Sequence, residues 1–140
     1  MSTRLNAFLH PVQPEGAKEV YISDRFRDEE GKPVPFKIRA LTQEENDATA
    51  KKCRRVREVS GQKQEYLDTT RFNRELVVLA TVEPDFSSAE VCEAYGTRIP
   101  TQVPGKMLLA GEYSRLLREI MSLSGFDAES AAALEEEAKN

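Results

Sequence analysis

The residues that catalysis or metal binding would need are few in this 140-residue chain, and they lie far apart. The single histidine, His10, lies near prolines in a segment that offers a catalytic base neither a fixed partner nor a pocket. The two cysteines, Cys53 and Cys92, form no CxxC pair, so the sequence predicts free thiols rather than a zinc site. The acidic stretch at residues 24–30 lacks the alternating oxygen ligands of a calcium loop. The sequence therefore predicts no catalytic residue, no metal site and no cofactor.

Composition and motifs argue against several classes of function. The chain has no glycine-rich phosphate loop and no GxSxG nucleophile motif, which favours a protein that is not an enzyme. The net charge of −4 argues against a protein that coats nucleic acid. No apolar run is long enough to span a membrane, and the N-terminus lacks the apolar segment of a signal peptide. These features predict a cytoplasmic protein with one domain.

The spacing of apolar residues predicts one β-hairpin followed by helices. Residues 19–41 form the predicted hairpin, since Phe36 and Ile38 alternate with basic residues and Gly31 lies in the turn. Two prolines in the return strand cannot donate ladder hydrogen bonds, so that strand is expected to lie at a sheet edge. Helices are predicted over about residues 43–59, 68–82, 88–95 and 111–124.

Three signals mark the ends of these helices. Thr42 and Glu45 have the spacing of a capping box, and Asp68 precedes the next helix as its N-cap. Gly125 follows the last helix and can end it in the left-handed conformation. The predicted fold class is α+β and mainly helical, with one N-terminal β-hairpin packed on a bundle of about four helices.

The predicted domain organisation has three parts. Residues 1–18 form a flexible N-terminal arm, because prolines and a glycine interrupt them and no periodicity persists. Residues 19–126 form the single α+β domain. Residues 127–140 are rich in alanine and glutamate, which is typical of an acidic C-terminal helix or tail.

Two apolar clusters are candidate partner-binding surfaces. The candidates are Met107, Leu108, Leu109 and Tyr113 at the last helix, with Leu5, Phe8 and Leu9 in the arm. Residues 107–109 join a loop to the last helix, where such side chains either belong to the core or form a groove for a partner helix. The apolar part of the arm is either a strap over its own domain or a hook for a partner.

A basic patch ends the first predicted helix. It consists of Lys51, Lys52, Arg54, Arg55 and Arg57. Five cations within seven positions could meet phosphates, which gives an alternative function as a nucleic-acid-binding regulatory protein. The cations wrap around the helix, however, and solvated or internally paired charge is the simpler interpretation. An acidic protein partner fits the patch better than nucleic acid does.

Several segments in one order give the chain a resemblance to a known family. These segments are LNAFLHPVQPE, PVPFKIRALTQEEN, LDTTRFNRELVVLATVEPD, AEVCEAYG and KMLLAGEYSRLLREIMSLSGFD. The chain resembles the XkdN-like tail assembly chaperones of long-tailed phages and defective prophages.

The resemblance implies a function without catalytic residues. It implies binding of the tape-measure protein, whose long apolar helices would be kept soluble until tail tube subunits assemble around them. It further implies that a frameshifted, longer form would recruit the tail tube protein. Repeated copies along such a client would suit weak homo-oligomerisation through the hairpin edge.

Overall fold

The architecture, seen in a computed structural model that describes residues 3–13 and 16–126, combines helices with two small antiparallel sheets. The predicted C-terminal helix or tail at 127–140 lies outside the described residues. The helices are α1 (Thr3–Leu9), α2 (Gln43–Lys52), α3 (Thr69–Ala80), α4 (Ala89–Ala94), α5 (Val103–Met107) and α6 (Ala110–Leu123). The strands are β1 (Lys18–Val20), β2 (Phe36–Ile38), β3 (Arg54–Val59), β4 (Gln62–Leu67) and β5 (Thr81–Glu83). The mainly helical α+β class is confirmed.

The first sheet has the order β1-β2-β5, and all of its strands are antiparallel. The hairpin of β1 and β2 pairs Lys18 with Ile38 and Val20 with Phe36. The expectation that the return strand lies at an edge is wrong, because β5 pairs with β2 on its other side. The predicted helix at 68–82 is likewise too long, since Thr81 leaves α3 and pairs with Ile38. The edges of this sheet are therefore β1 and β5.

The core lies where this sheet meets α3, α5 and α6. Its buried residues include Ile22, Phe36, Ile38, Leu76, Val77, Phe86, Val103, Leu116 and Ile120. The helix α3 contributes Leu76, Val77 and Ala80 to this core, whereas Leu79 is 38% exposed, so the helix buries one face. The helix α6 buries one face and exposes the other, as its spacing predicts.

Caps at helix ends follow the sequence signals. The Thr42 hydroxyl accepts a hydrogen bond from the Glu45 amide at 3.1 Å, and the Glu45 carboxylate accepts one from the Thr42 amide. The Asp68 carboxylate accepts one from the Arg71 amide at 3.2 Å. Gly125 has a φ of 91°, and the next amide, of Phe126, donates to the Met121 carbonyl. These bonds satisfy backbone groups that the helix ends leave without partners.

The predicted helix at 43–59 is wrong over its second half. The helix α2 ends at Lys52, and Arg54–Val59 form β3, which pairs residue by residue with β4. Ser60 and Gly61 join the two strands with φ angles of 54° and 78°, the backbone of a tight hairpin turn. Every residue from 54 to 65 is exposed. We refer to β3 and β4 together as the ribbon.

Two further segments differ from prediction. The arm contains the helix α1, and every residue of it is exposed. Residues 97–105, between the predicted helices at 88–95 and 111–124, contain a 3₁₀ turn at Pro100–Gln102 and the start of α5. Apolar periodicity is too short in either segment to predict a helix.

Candidate partner-binding surfaces

An apolar groove opens between the first hairpin, β5 and α4. Its apolar lining consists of Phe26, Val34, Phe36, Val82, Val91 and Met107, together with two prolines. The groove has a volume of about 470 Å³. It is lined by four separate segments of the chain, and only their packing brings them together. We refer to this site as the apolar groove.

The groove is open because the sheet is short at this end. The β2 strand begins only at Phe36, after a proline, and β5 ends at Glu83, before another proline. Val34 and Val82, which both line the groove, therefore stay 42% exposed. Phe26 and Phe36 also line it, and their ring centroids are 5.6 Å apart. An apolar partner would complete this surface without rearrangement of the core.

Acidic side chains border the groove. Glu83 and Asp85 both contribute to its lining. The Glu83 carboxylate lies 2.9 Å from the Lys37 ammonium, and the Asp85 carboxylate accepts a hydrogen bond from the Ser87 amide at 3.0 Å. Hydrogen bonding to Glu83 raises the pKa of Lys37. The rim is thus polar and ordered, as expected around an apolar contact surface.

The four candidates near the last helix do not form one surface. Met107 lines the groove, whereas Leu108 is buried and belongs to the core. Leu109 is exposed in a second, more polar cavity beside Glu112. Tyr113 is partly buried against the core, and this burial raises the pKa of its phenol. Leu108 is therefore unsuitable as a contact residue, and Met107 is the candidate that the groove contains.

The apolar candidates of the arm lie together on α1. Leu5, Phe8 and Leu9 are exposed at helical spacing, and Phe8 is 80% exposed. Val12, one turn beyond Phe8, is 97% exposed. The domain therefore does not cover Phe8 or Val12, in contrast to the interpretation of the arm as a strap over its own domain.

The polar cavity beside Leu109 is organised by an ion pair. The Arg25 guanidinium donates two hydrogen bonds to the Glu112 carboxylate, and this contact joins the hairpin segment to the start of α6. The bonds from Arg25, with further bonds from Ser23 and the Leu109 amide, lower the pKa of Glu112 to about 2. Arg115 also donates to the Ile22 carbonyl at 2.6 Å. These contacts have a structural role, because they connect elements and leave no free nucleophile or base.

The five cations of the basic patch are split between a helix end and the ribbon. Lys52 lies 3.3 Å from the Glu75 carboxylate, and Arg55 lies 2.8 Å from that of Asp68. Arg54 lies 4.0 Å from the Glu65 carboxylate. Three cations thus pair within the chain, and Arg57 and Lys51 complete the patch. The basic helix required by the nucleic-acid hypothesis is absent from the described fold.

The described part of the chain contains no candidate metal centre. Residues 3–13 and 16–126 contain no group of three His, Cys, Asp or Glu side chains placed to hold a metal ion. Cys53 and Cys92 are both buried free thiols, and burial raises the pKa of Cys53. Within the same residues, no helix is long and apolar enough to cross a membrane.

Most of the groove was not identified from the sequence. Only Met107 was a candidate, because it lies in a visible apolar run. Val34 and Val82 are 48 positions apart and become neighbours only through the pairing of β2 with β5. Two isolated valines form no recognisable sequence pattern. Only the tertiary structure shows that they line one groove.

Comparisons with known proteins agree over nearly the whole chain. A family model described as phage XkdN-like tail assembly chaperone protein matches residues 5–139. The uncharacterized protein YqbN of Bacillus subtilis (strain 168) is 38% identical over 138 residues, which cover 96% of this chain and 92% of YqbN. The phage-like element PBSX protein XkdN of the same organism is 34% identical, with 96% and 93% covered.

A solved structure adds agreement at the level of the fold. The crystal structure of the protein YqbN aligns with a TM-score of 0.69 at 35% sequence identity. The alignment covers 86% of this chain and 96% of the YqbN chain. Sequence and fold are thus both similar over most of the chain, and the chain belongs to the phage XkdN-like tail assembly chaperone family.

Proposed function

We propose that this protein binds the tape-measure protein of a phage or prophage and keeps it soluble in the host cytoplasm while the tail tube assembles. In this function it acts as a holding chaperone and not as an enzyme. The observation that supports the proposal most directly is the open apolar groove, which lies on the surface of a member of a tail assembly chaperone family. The identity of the proposed client comes from the family resemblance, and the groove provides the physical basis for binding it.

The groove has the chemistry that an amphipathic client helix needs. Apolar side chains of such a helix would enter between Val34 and Val82, which are both partly exposed, and would contact Met107 within the groove. Glu83 and Asp85 at the rim would then favour basic side chains on the flanks of the client helix. Burying apolar surface that would otherwise aggregate is what keeps such a client in solution.

The test is co-expression with the tape-measure protein encoded by the same phage element, followed by affinity purification and measurement of the soluble client fraction. Val82→Asp places a charge at the groove opening without disturbing a fully buried residue. Val56→Asp is the matched control, because Val56 is an exposed strand valine in the ribbon, far along the chain from any groove residue.

The expected result is that the wild-type protein and Val56→Asp solubilise and co-purify the client, whereas Val82→Asp loses most of this activity. If Val82→Asp retained full activity, the groove would not be the client site. If the wild-type protein left the client insoluble and unbound, the proposed function would be wrong.

A further inference from the structure

We propose that the apolar groove of one copy is occupied by the helix α1 of a second copy, reciprocally in a symmetric dimer, until a client displaces it. The role of the client in this exchange rests on the proposed function. The dimer itself does not, because it follows from two surfaces of this chain.

The first argument is that α1 needs a surface to pack on. Its seven residues are far fewer than a helix requires for stability alone in water. Phe8 in α1 and Val12 beyond its end project apolar surface into solvent, and Leu9 is largely exposed as well. A short helix with such a face is typical of a segment that docks in a groove.

The second argument is complementary charge. Residues 3–13 contain Arg4 and no acidic residue. Glu83 and Asp85 border the groove, and because Glu83 already pairs with Lys37, a docked α1 would bring its cation towards Asp85. The ribbon, in contrast, carries four basic and two acidic residues, and its net positive charge disfavours Arg4. Among the exposed apolar surfaces of the described chain, the groove is thus the favoured site for α1.

The third argument concerns why the occupant belongs to a second copy. In the single chain, α1 leaves Phe8 80% exposed while the groove also stays open, so the two surfaces do not satisfy each other. In a symmetric dimer, each arm occupies the groove of the other copy, so the same contact forms twice. One association event therefore buries twice the apolar area of a single contact.

The exchange gives the chaperone a resting state. Without client, each α1 covers the groove of its partner, and both apolar surfaces are removed from water. A client helix with more apolar contact area competes for the same groove and releases α1. The arm therefore regulates access to the client site by competition.

The first experiment measures self-association of the full chain by sedimentation equilibrium over a wide concentration range. We expect a monomer–dimer equilibrium for the wild-type protein. Phe8→Asp in the arm and Val82→Asp in the groove should each weaken dimerisation by about a hundredfold or more, because a symmetric dimer loses the apolar side chain from both of its contacts. Val56→Asp, the matched valine change in the ribbon, should leave the dissociation constant unchanged.

Mixing the two variants tests reciprocity. The Phe8→Asp protein keeps an intact groove, and the Val82→Asp protein keeps an intact arm, so an equimolar mixture restores one of the two contacts. We expect the mixture to associate more tightly than either variant alone. A wild-type protein that stays monomeric at millimolar concentration, or a mixture that behaves as its components do, would overturn the exchange.

A second measurement separates the exchange from the client function. A fluorescent peptide of residues 1–13 should bind the Phe8→Asp protein and should not bind the Phe8→Asp, Val82→Asp double variant. If the peptide binds and the wild-type protein dimerises while no tape-measure fragment competes, the exchange stands and the proposed function fails. If the client binds the wild-type protein but the peptide binds neither variant, only the exchange is wrong.

Discussion

The first hairpin, β1 with β2, and the ribbon, β3 with β4, are both antiparallel pairs of strands. Gly31 lies in a small turn within the long connection of the first hairpin, whereas Gly61 lies in the turn that joins the strands of the ribbon directly. The two pairs also differ in what lies on their faces. The first hairpin gains a third strand, β5, and buries Phe36 and Ile38 under the helices. The ribbon gains no further strand among the described residues, and both of its faces are exposed from residue 54 to 65.

This contrast shows that strand pairing and strand burial are separate sources of stability. Two strands alone are marginal in water, so the ribbon depends on its turn and on contacts between side chains across the strands. The first hairpin depends on apolar burial, which supplies most of the free energy of folding. Changes to the first hairpin should therefore alter global stability, and matched changes to the ribbon should act locally.

The largest difference is expected for truncation of an apolar side chain. Ile38→Ala should lower the free energy of unfolding by about 2–5 kcal/mol, because Ile38 is fully buried in the central strand. Val56→Ala should change it by less than about 0.5 kcal/mol, because Val56 is 65% exposed in the ribbon. Urea unfolding of both variants checks this difference. A loss of similar size in both would mean that the ribbon belongs to the cooperative core.

Acid should act through the carboxylates that anchor the first hairpin. Hydrogen bonds from Arg25 hold the pKa of Glu112 at about 2, and those from Arg39 hold that of Glu45 at about 2, against an ordinary value of 4.5. Because both pKa values are lower in the folded state, the stabilisation is complete above pH 4.5 and is lost as the pH falls towards 2.

We therefore expect unfolding midpoints to fall across this acidic window and the Glu112→Gln protein to show a shallower fall. In the ribbon, Glu65→Gln changes a carboxylate that lies 4.0 Å from Arg54 and is well exposed to solvent. This control variant should follow the wild-type profile, since exposed ion pairs contribute little. An unchanged slope for Glu112→Gln would contradict the assigned anchor.

The turn glycines provide a smaller and closely matched test. Gly31 in the first hairpin and Gly61 in the ribbon have φ angles of 80° and 78°, which other residues adopt at a cost. An added Cβ meets no atom within 4 Å at either position, so the substitution to alanine tests backbone conformation alone. Gly31→Ala should lower the global free energy of unfolding by about 1 kcal/mol. Gly61→Ala should leave it unchanged and should increase amide exchange in β3 and β4.

The same contrast explains which elements the sequence reveals. The helix α6 is visible because Leu116 and Ile120 repeat at helical spacing, and burial then follows that spacing. The sequence predicts a helix for the first strand of the ribbon because Val56 and Val59 are three residues apart. Neither face of this strand is buried, so its side chains do not alternate between apolar and polar. The informative signal was the two-residue turn at Ser60 and Gly61 between two polar segments of equal length.

Long-range contacts account for the remaining errors. The β5 strand exists because Thr81 pairs with Ile38, and no local pattern distinguishes it from the last turn of α3. The apolar groove depends on that pairing, so only Met107 among its residues was a candidate. The sequence shows the apolar side chains of the arm but leaves open whether they pack on the domain or meet a partner, because burial depends on tertiary contacts.

The smallest effect is expected at a stacked arginine in the ribbon. The Arg57 guanidinium lies 4.7 Å from the centre of the Tyr66 ring, across the two strands. Exposed contacts of this kind contribute about 0.5–1 kcal/mol, so Arg57→Ala should speed amide exchange within the ribbon by roughly two- to fivefold. Arg57→Lys keeps a cation beside the ring and should retain part of the protection. A lowered global unfolding midpoint for Arg57→Ala would instead show that the ribbon unfolds together with the first hairpin.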